Sequence, residues 1–258
     1  MTPRHPLSAL GAPLLACVLA LSACGGGGGD AVDPPSGTAP LEGAYGLATS
    51  TGLSGEALVL SGGSIWALSG VSSGGSIYVS SFTHGSIDRS GGSLSASDLR
   101  QYDLVSSTAS ALGFSGTING AGIVSGTLTP SIGPASTVTL TPVSARSFDF
   151  EAPATLAAVT GTWNGRSADG SSGSVTVSSG GAVAGSLGGC SLSGTVAPHP
   201  SGKHLYSVSI VFGPAPCLLP SATVNGIAYL NESAAVPQLL VMVVTPDRSA
   251  GTILVATH

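Results

Sequence analysis

From Leu41 onward, apolar and hydroxyl-bearing residues alternate with a period of two, and that alternation admits little besides antiparallel β-sheet. It is plain in Gly173-Ser-Val-Thr-Val-Ser178, in Ser136-Thr-Val-Thr-Leu-Thr141 and in Leu205-Tyr-Ser-Val-Ser-Ile-Val-Phe212. Such segments put Val175 with Val177, Val138 with Leu140, and Tyr206, Val208, Ile210 and Phe212 on single faces, leaving mostly Ser and Thr opposite. The dipeptides Asn119-Gly120, Asn164-Gly165, Asp169-Gly170 and Asn225-Gly226 supply the positive backbone angles of tight turns, and all four are read as hairpin turns. Short strands at such spacing predict an all-β fold of small antiparallel barrels or sandwiches.

A weak internal repeat divides the chain. Laying Leu41–Gly70 over Val159–Gly188 at an offset of 118 matches Gly43 with Gly161, Tyr45 with Trp163, and the Gly62-Gly63 pair with Gly180-Gly181. Phe114-Ser-Gly-Thr-Ile118 echoes Leu192-Ser-Gly-Thr-Val196 at a shorter offset, as if the first half carried an insertion. The expected organisation is a first β-domain over 41–152 and a second over 153–258. Two stretches hint at helix: Ser95–Leu104, with Leu99 and Tyr102 three residues apart, and Ala152–Ala158 between the domains. The strand Gln238–Thr245 is apolar from Leu239 to Val244, which predicts cover on both faces, with the first domain as the candidate partner.

The segment before the domains reads differently. Arg4 and His5 precede an apolar run from Leu7 to Leu21, too short and too weakly flanked for a membrane span. Leu21-Ser22-Ala23-Cys24 then resembles the lipobox of bacterial lipoprotein precursors. That resemblance implies a signal peptide over 1–23, cleavage after Ala23, and a diacylglycerol thioether and acyl (palmitate-type) chains on Cys24. An ordinary signal peptide would instead leave Cys24 as a free thiol. Residues 24–40 form a Gly/Pro-rich tether, with a span of about 22 Å as a flexible chain. Its glycine run resembles the anchoring peptides of Neisseria-type surface lipoproteins. By the lipoprotein family's sorting rule, Gly25 after the cysteine implies the outer membrane of the cell envelope, on its periplasmic face or at the surface. Gly161-Thr-Trp163 resembles the G-x-W of lipocalin-type barrels, where the Trp closes the barrel floor; a Trp capping any core fits equally.

Composition limits the function classes. Only 7% of the 258 residues are charged, and no basic run tracks a phosphate backbone, which argues against nucleic acid. Of four cysteines, Cys17 lies in the signal and Cys24 takes the lipid, so Cys190 and Cys217 remain to form a disulfide in an oxidising compartment. His84, His199, His204 and His258 share no metal-ligand spacing and are placed at turns or edges, and no metal or other cofactor is expected. No G-x-S-x-G nucleophile elbow occurs. The close carboxylate pair Asp149 and Glu151 reads as one face of an amphipathic strand, opposite Phe148 and Phe150. No catalytic residues are assigned. The expectation is a non-catalytic, lipid-anchored binding or structural module. The alternatives are a small-ligand carrier barrel, or a lysozyme-type enzyme inhibitor using an anchor in His199–Lys203. No ligand or protein partner is legible.

Overall fold

The computed structural model describes residues 39–73, 76–104, 108–144, 148–232 and 236–258. The signal peptide, Cys24 and the tether as far as Thr38 lie outside the described residues. Among the described residues, no helix is long and apolar enough to cross a membrane.

Two eight-stranded antiparallel barrels follow one another along the chain. The first is built from β1 (Gly43–Thr49), β2 (Ser54–Val59), β3 (Ser64–Ser73), β4 (Ser76–Ser86), β6 (Ser93–Asp103), β7 (Thr108–Ile118), β8 (Val124–Pro130) and β9 (Ser136–Pro142). It closes by the pairing of β1 with β9 and of β4 with β6. The three-residue β5 (Asp88–Ser90) extends β4 along the same partner β6. A short helix α1 (Leu156–Val159) leads into the second barrel: β10 (Gly161–Ser167), β11 (Ser172–Val177), β12 (Ala182–Leu187), β13 (Cys190–Pro198), β14 (Tyr206–Phe212), β15 (Thr223–Asn231), β16 (Gln238–Val244) and β17 (Gly251–Thr257). It closes between β10 and β17.

The offset of 118 is a structural equivalence. Gly43 pairs with Val59 as Gly161 pairs with Val177. Gly63 and Gly181 share positive φ values of 85° and 82°, and their carbonyls accept the N–H of Ile87 and Val196 at 2.8 Å each. The aromatic pair performs one job twice. Tyr45 donates its hydroxyl to the Leu41 carbonyl at 2.7 Å, and Trp163 donates Nε1–H to the Val159 carbonyl at 2.8 Å, each four residues back. Each ring thus fixes the chain's entry across a barrel end. By contrast, the echo of Phe114–Ile118 in Leu192–Val196 sets the sixth strand of one barrel on the fourth of the other, so it is local similarity without an insertion.

Several expectations are corrected. Asp169-Gly170 turns, with Gly170 at φ 82°, and Asn119-Gly120 lies in a turn whose left-handed residue is Gly122. Asn164-Gly165 and Asn225-Gly226 lie inside β10 and β15. There the glycine answers backbone crowding: a Cβ on Gly226 would land on the Met242 carbonyl of the neighbouring strand. Ser95–Leu104 belongs to β6 for all but its last residue. Leu99 and Tyr102, three apart, point to opposite faces, Leu99 into the first barrel and Tyr102 out toward the second. A register shift between Ala96 and Leu99 breaks the alternation that would have announced the strand. Of the second helical stretch, only its last three residues, 156–158, are helix, within α1 (Leu156–Val159). Asp149 and Glu151 sit in a turn, so they share no strand face. His84 is an interior residue of β4, paired with Trp66 on one side and Arg100 on the other.

The strand β16 is covered on both faces. Leu239 and Val243 point into the second barrel, whereas Leu240, Met242 and Val244 join a separate core with Leu58, Trp66, Leu68, Phe82 and Tyr102 of the first. Phe82 and Tyr102 stack at 4.5 Å within that core, and Trp66 stacks on His84 at 3.8 Å. Arg248, in the β16–β17 turn, donates to the His84 carbonyl at 2.9 Å and pairs with Asp98 at 3.2 Å. Tyr229 donates to Glu56 Oε2 at 2.8 Å, and burial followed by that carboxylate pushes its hydroxyl well above the usual phenol value.

Candidate functional site

The second barrel is not filled. Its interior holds a cavity of about 90 Å³. The period-two alternation of its strands supplies the wall: Val175 and Val177 from β11, Val183 and Leu187 from β12, Leu192 and Val196 from β13, Val208 and Ile210 from β14, Val241 and Val243 from β16. Valine suits a strand and is short, so a ring of valines leaves the axis open where longer side chains would meet. An apolar lining of this kind favours apolar guests, and the volume has room for several water-sized groups.

One end is shut. Val159, the last residue of α1, lines the floor and is fully buried. It is held there by the Trp163 indole, and Tyr206 ties down the start of the same segment by donating to the Thr155 carbonyl at 2.9 Å. His258 lies against Trp163, ring centroids 3.8 Å apart, just beyond the last strand. The lipocalin-like G-x-W thus marks the floor of this barrel.

The other end carries the mouth. Ser167, Asp169 and Ser171 of the β10–β11 turn stand on one side, and Pro216 and Leu218 of the β14–β15 loop on the other. That loop is pinned by the Cys190–Cys217 disulfide, which joins it to the first residue of β13. The predicted pair is therefore bonded, and its place is the rim of the cavity, which the sequence did not indicate. Burial pushes the Asp169 carboxyl up, but donation from Ser167 Oγ at 2.5 Å and from the Ser171 N–H at 2.9 Å outweighs it, holding Asp169 below the usual carboxylate value. An ionised carboxylate thus stands at the mouth.

One wall residue breaks the apolar pattern. Thr252 on β17 alternates with Leu254 and Ala256, both packed into the barrel interior, and it lines the cavity. It is 5% exposed, and among the described residues its Oγ1 has no hydrogen-bond partner. Leu254 pairs with Ser167, so Thr252, two residues further toward the mouth, lies level with the β10–β11 turn. Sequence reasoning missed it because its only signal is register.

The first barrel carries an aromatic ring in its interior. Phe114 lies inside it over two glycines, where a Cβ on Gly126 or Gly116 would come within 2.5 Å or 2.7 Å of the ring. The remaining candidates do not converge. Lys203 is bonded to Glu151 at 2.6 Å, faces Glu42 at 3.7 Å and lies 5.4 Å from the Phe150 ring, so the His199–Lys203 segment clamps the linker between the barrels. His204 stacks on Phe148 at 5.5 Å in the same clamp. Among the described residues, no three His, Cys, Asp or Glu side chains gather as metal ligands.

No protein-family model matches the sequence, and no curated protein matches it. Among solved structures, the chain is similar to a protein of unknown function from Nostoc punctiforme PCC 73102, of the DUF3598 family. The two are 11% identical, the match covers 84% of this chain and 94% of that one, and the TM-score is 0.28.

Proposed function

We propose that this chain is a non-catalytic, lipid-anchored binding module of the bacterial cell envelope, held on the outer membrane through Cys24, whose second barrel carries one small apolar ligand. The observation that carries the binding half is the valine-lined cavity, closed at the Trp163 floor and reached past a rim braced by Cys190–Cys217. A barrel meant only to be stable has no reason to leave that volume unfilled, because empty space forfeits dispersion contacts along its whole lining. The support for the anchor is the lipobox-like Leu21–Cys24 and the glycine tether behind it. Several buried acyl chains hold a protein on a bilayer far more firmly than one. The enzyme-inhibitor alternative loses its exposed anchor, since Lys203 is engaged within the chain.

The binding half is tested by methyl NMR of the full chain titrated with xenon, beside Val208→Phe, which fills the cavity. Xenon is expected to shift the methyl signals of Val183, Val208 and Val243 in the wild type and to leave those of Val183 and Val243 in the folded variant unmoved. Equal response in both proteins refutes the carrier reading. The anchor is tested separately, by intact mass of membrane-extracted protein beside Cys24→Ala. Acyl mass present in the first and absent from the second is the expected result, and its absence from both refutes the anchor.

A further inference from the structure

The cavity reading leaves the Thr252 hydroxyl unexplained. A buried hydroxyl without a partner is costly, and buried polar groups in folded proteins are nearly always paired. The same position could be occupied by valine, which has the shape of threonine and matches the rest of the wall. The hydroxyl sits at one depth only, level with the β10–β11 turn, where the apolar barrel meets its mouth. Below it the lining is apolar down to Val159. A guest filling this space therefore meets polar atoms only at the end nearest solvent, where Ser167 and the Ser171 N–H are already bonded to Asp169 and the Thr252 hydroxyl has no partner among the described residues.

Resting on the carrier reading, we infer that the ligand is an uncharged, short-chain aliphatic alcohol or carbonyl compound, with its oxygen bonded to Thr252 Oγ1 and its alkyl end in the valine-lined floor. A hydroxyl both donates and accepts, so Thr252 serves an alcohol or a ketone equally well. The charge state of the guest follows from the mouth. Asp169 carries a carboxylate there, and among the described residues no Lys or Arg lines the cavity to receive an anion. A fatty acid anion would lose its hydration and face a like charge, which disfavours it twice. The cavity volume of about 90 Å³ limits the tail to a few carbons.

The test titrates the full chain and its Thr252→Val variant with 1-propanol, propane and propanoate, following the methyl signals of Val183, Val208 and Val243. In the wild type, 1-propanol and propane both shift these signals and propanoate does not. The ratio of propanol to propane affinity is expected to fall about tenfold on going to Thr252→Val, about 1.4 kcal/mol. Propane binding retained by the variant shows that its cavity is intact. A ratio equal in the two proteins overturns the role of Thr252 while leaving the carrier reading in place. Propanoate binding as tightly as propanol overturns the uncharged class. Failure of all three probes to shift any cavity methyl overturns the carrier reading itself.

Discussion

A side chain kept for a ligand should cost stability when the ligand is absent, and Thr252→Val measures that cost. Thr252 is 5% exposed and its Oγ1 has no partner among the described residues, so folding strips the hydroxyl of water and returns nothing. The penalty for such a group is about 1–3 kcal/mol. Valine removes it and adds an apolar methyl beside Leu254 and Val243, with no change of volume. The ligand-free variant is therefore expected to be more stable than the wild type by about 1–2 kcal/mol, raising Tm by about 2–8 °C for a fold of this size. Urea denaturation followed by tryptophan fluorescence measures it, with an increased midpoint and an unchanged slope. Thr176→Val is the control. Its hydroxyl lies on the exposed face, 3.0 Å from Thr162 Oγ1, and its loss should change stability by no more than about 0.5 kcal/mol. A Thr252→Val protein no more stable than the wild type, or less stable, refutes the reasoning, because the hydroxyl must then be satisfied in the free protein.

Four other perturbations bear on the fold. Reducing Cys190–Cys217, which closes a separation of 27 residues, should lower stability by about 3.5 kcal/mol in the chain-entropy view, read as the difference in urea midpoint with and without dithiothreitol. Gly226→Ala should cost at least about 2 kcal/mol, since its Cβ meets the Met242 carbonyl. Gly170→Ala, in open space at φ 82°, should cost only about 1 kcal/mol by the same measurement. Burial, aided by Arg248 and opposed by the hydrogen bond to the Ile65 carbonyl and by Asp98, holds the His84 pKa below the ordinary imidazole value. The unfolded chain then takes up the proton first, so this contribution is intact above about pH 6.5 and is lost as pH falls from there through the folded-state value. His84→Gln should flatten that part of the stability profile, and an unchanged slope would show that His84 does not set it.

How much of this was legible in the sequence varies by element. Strands with uninterrupted alternation announce themselves: Gly173–Ser178, Ser136–Thr141 and Leu205–Phe212 contain β11, β9 and β14 to within a residue or two. The wholly apolar Leu239–Val244 announced a strand buried on both sides, and so β16 is. Reading failed where one residue serves two codes. Leu99 and Tyr102 fit a helical face as well as two opposite strand faces, and the bulge before Leu99 hid the difference. Asn-Gly marks a turn when the glycine needs a positive φ, but in β10 and β15 the glycine is there because a neighbouring backbone leaves no room for a Cβ. The cavity was out of reach for another reason. An inward valine looks the same in sequence whether the axis beyond it is filled or open, and Thr252 is one threonine among many until its register with Leu254 and Ala256 is known.

The two barrels share a closing device and differ in what they enclose. Tyr45 and Trp163 shut equivalent ends by the same bond to a carbonyl four residues back, so the difference lies in the filling. In the first barrel, Phe114 lies in the interior against the wall, over the paired glycines Gly116 and Gly126. Its outer face, with Trp66, Phe82 and Tyr102, packs on the outward side chains of β15, β16 and β17. The inward side chains of β16 and β17, Val241, Val243, Thr252 and Leu254, form one wall of the cavity in the second barrel. One strand thickness therefore separates the interdomain core from the cavity. Met242, packed against the first barrel, stands between two residues, Val241 and Val243, that line the cavity on the strand's other face.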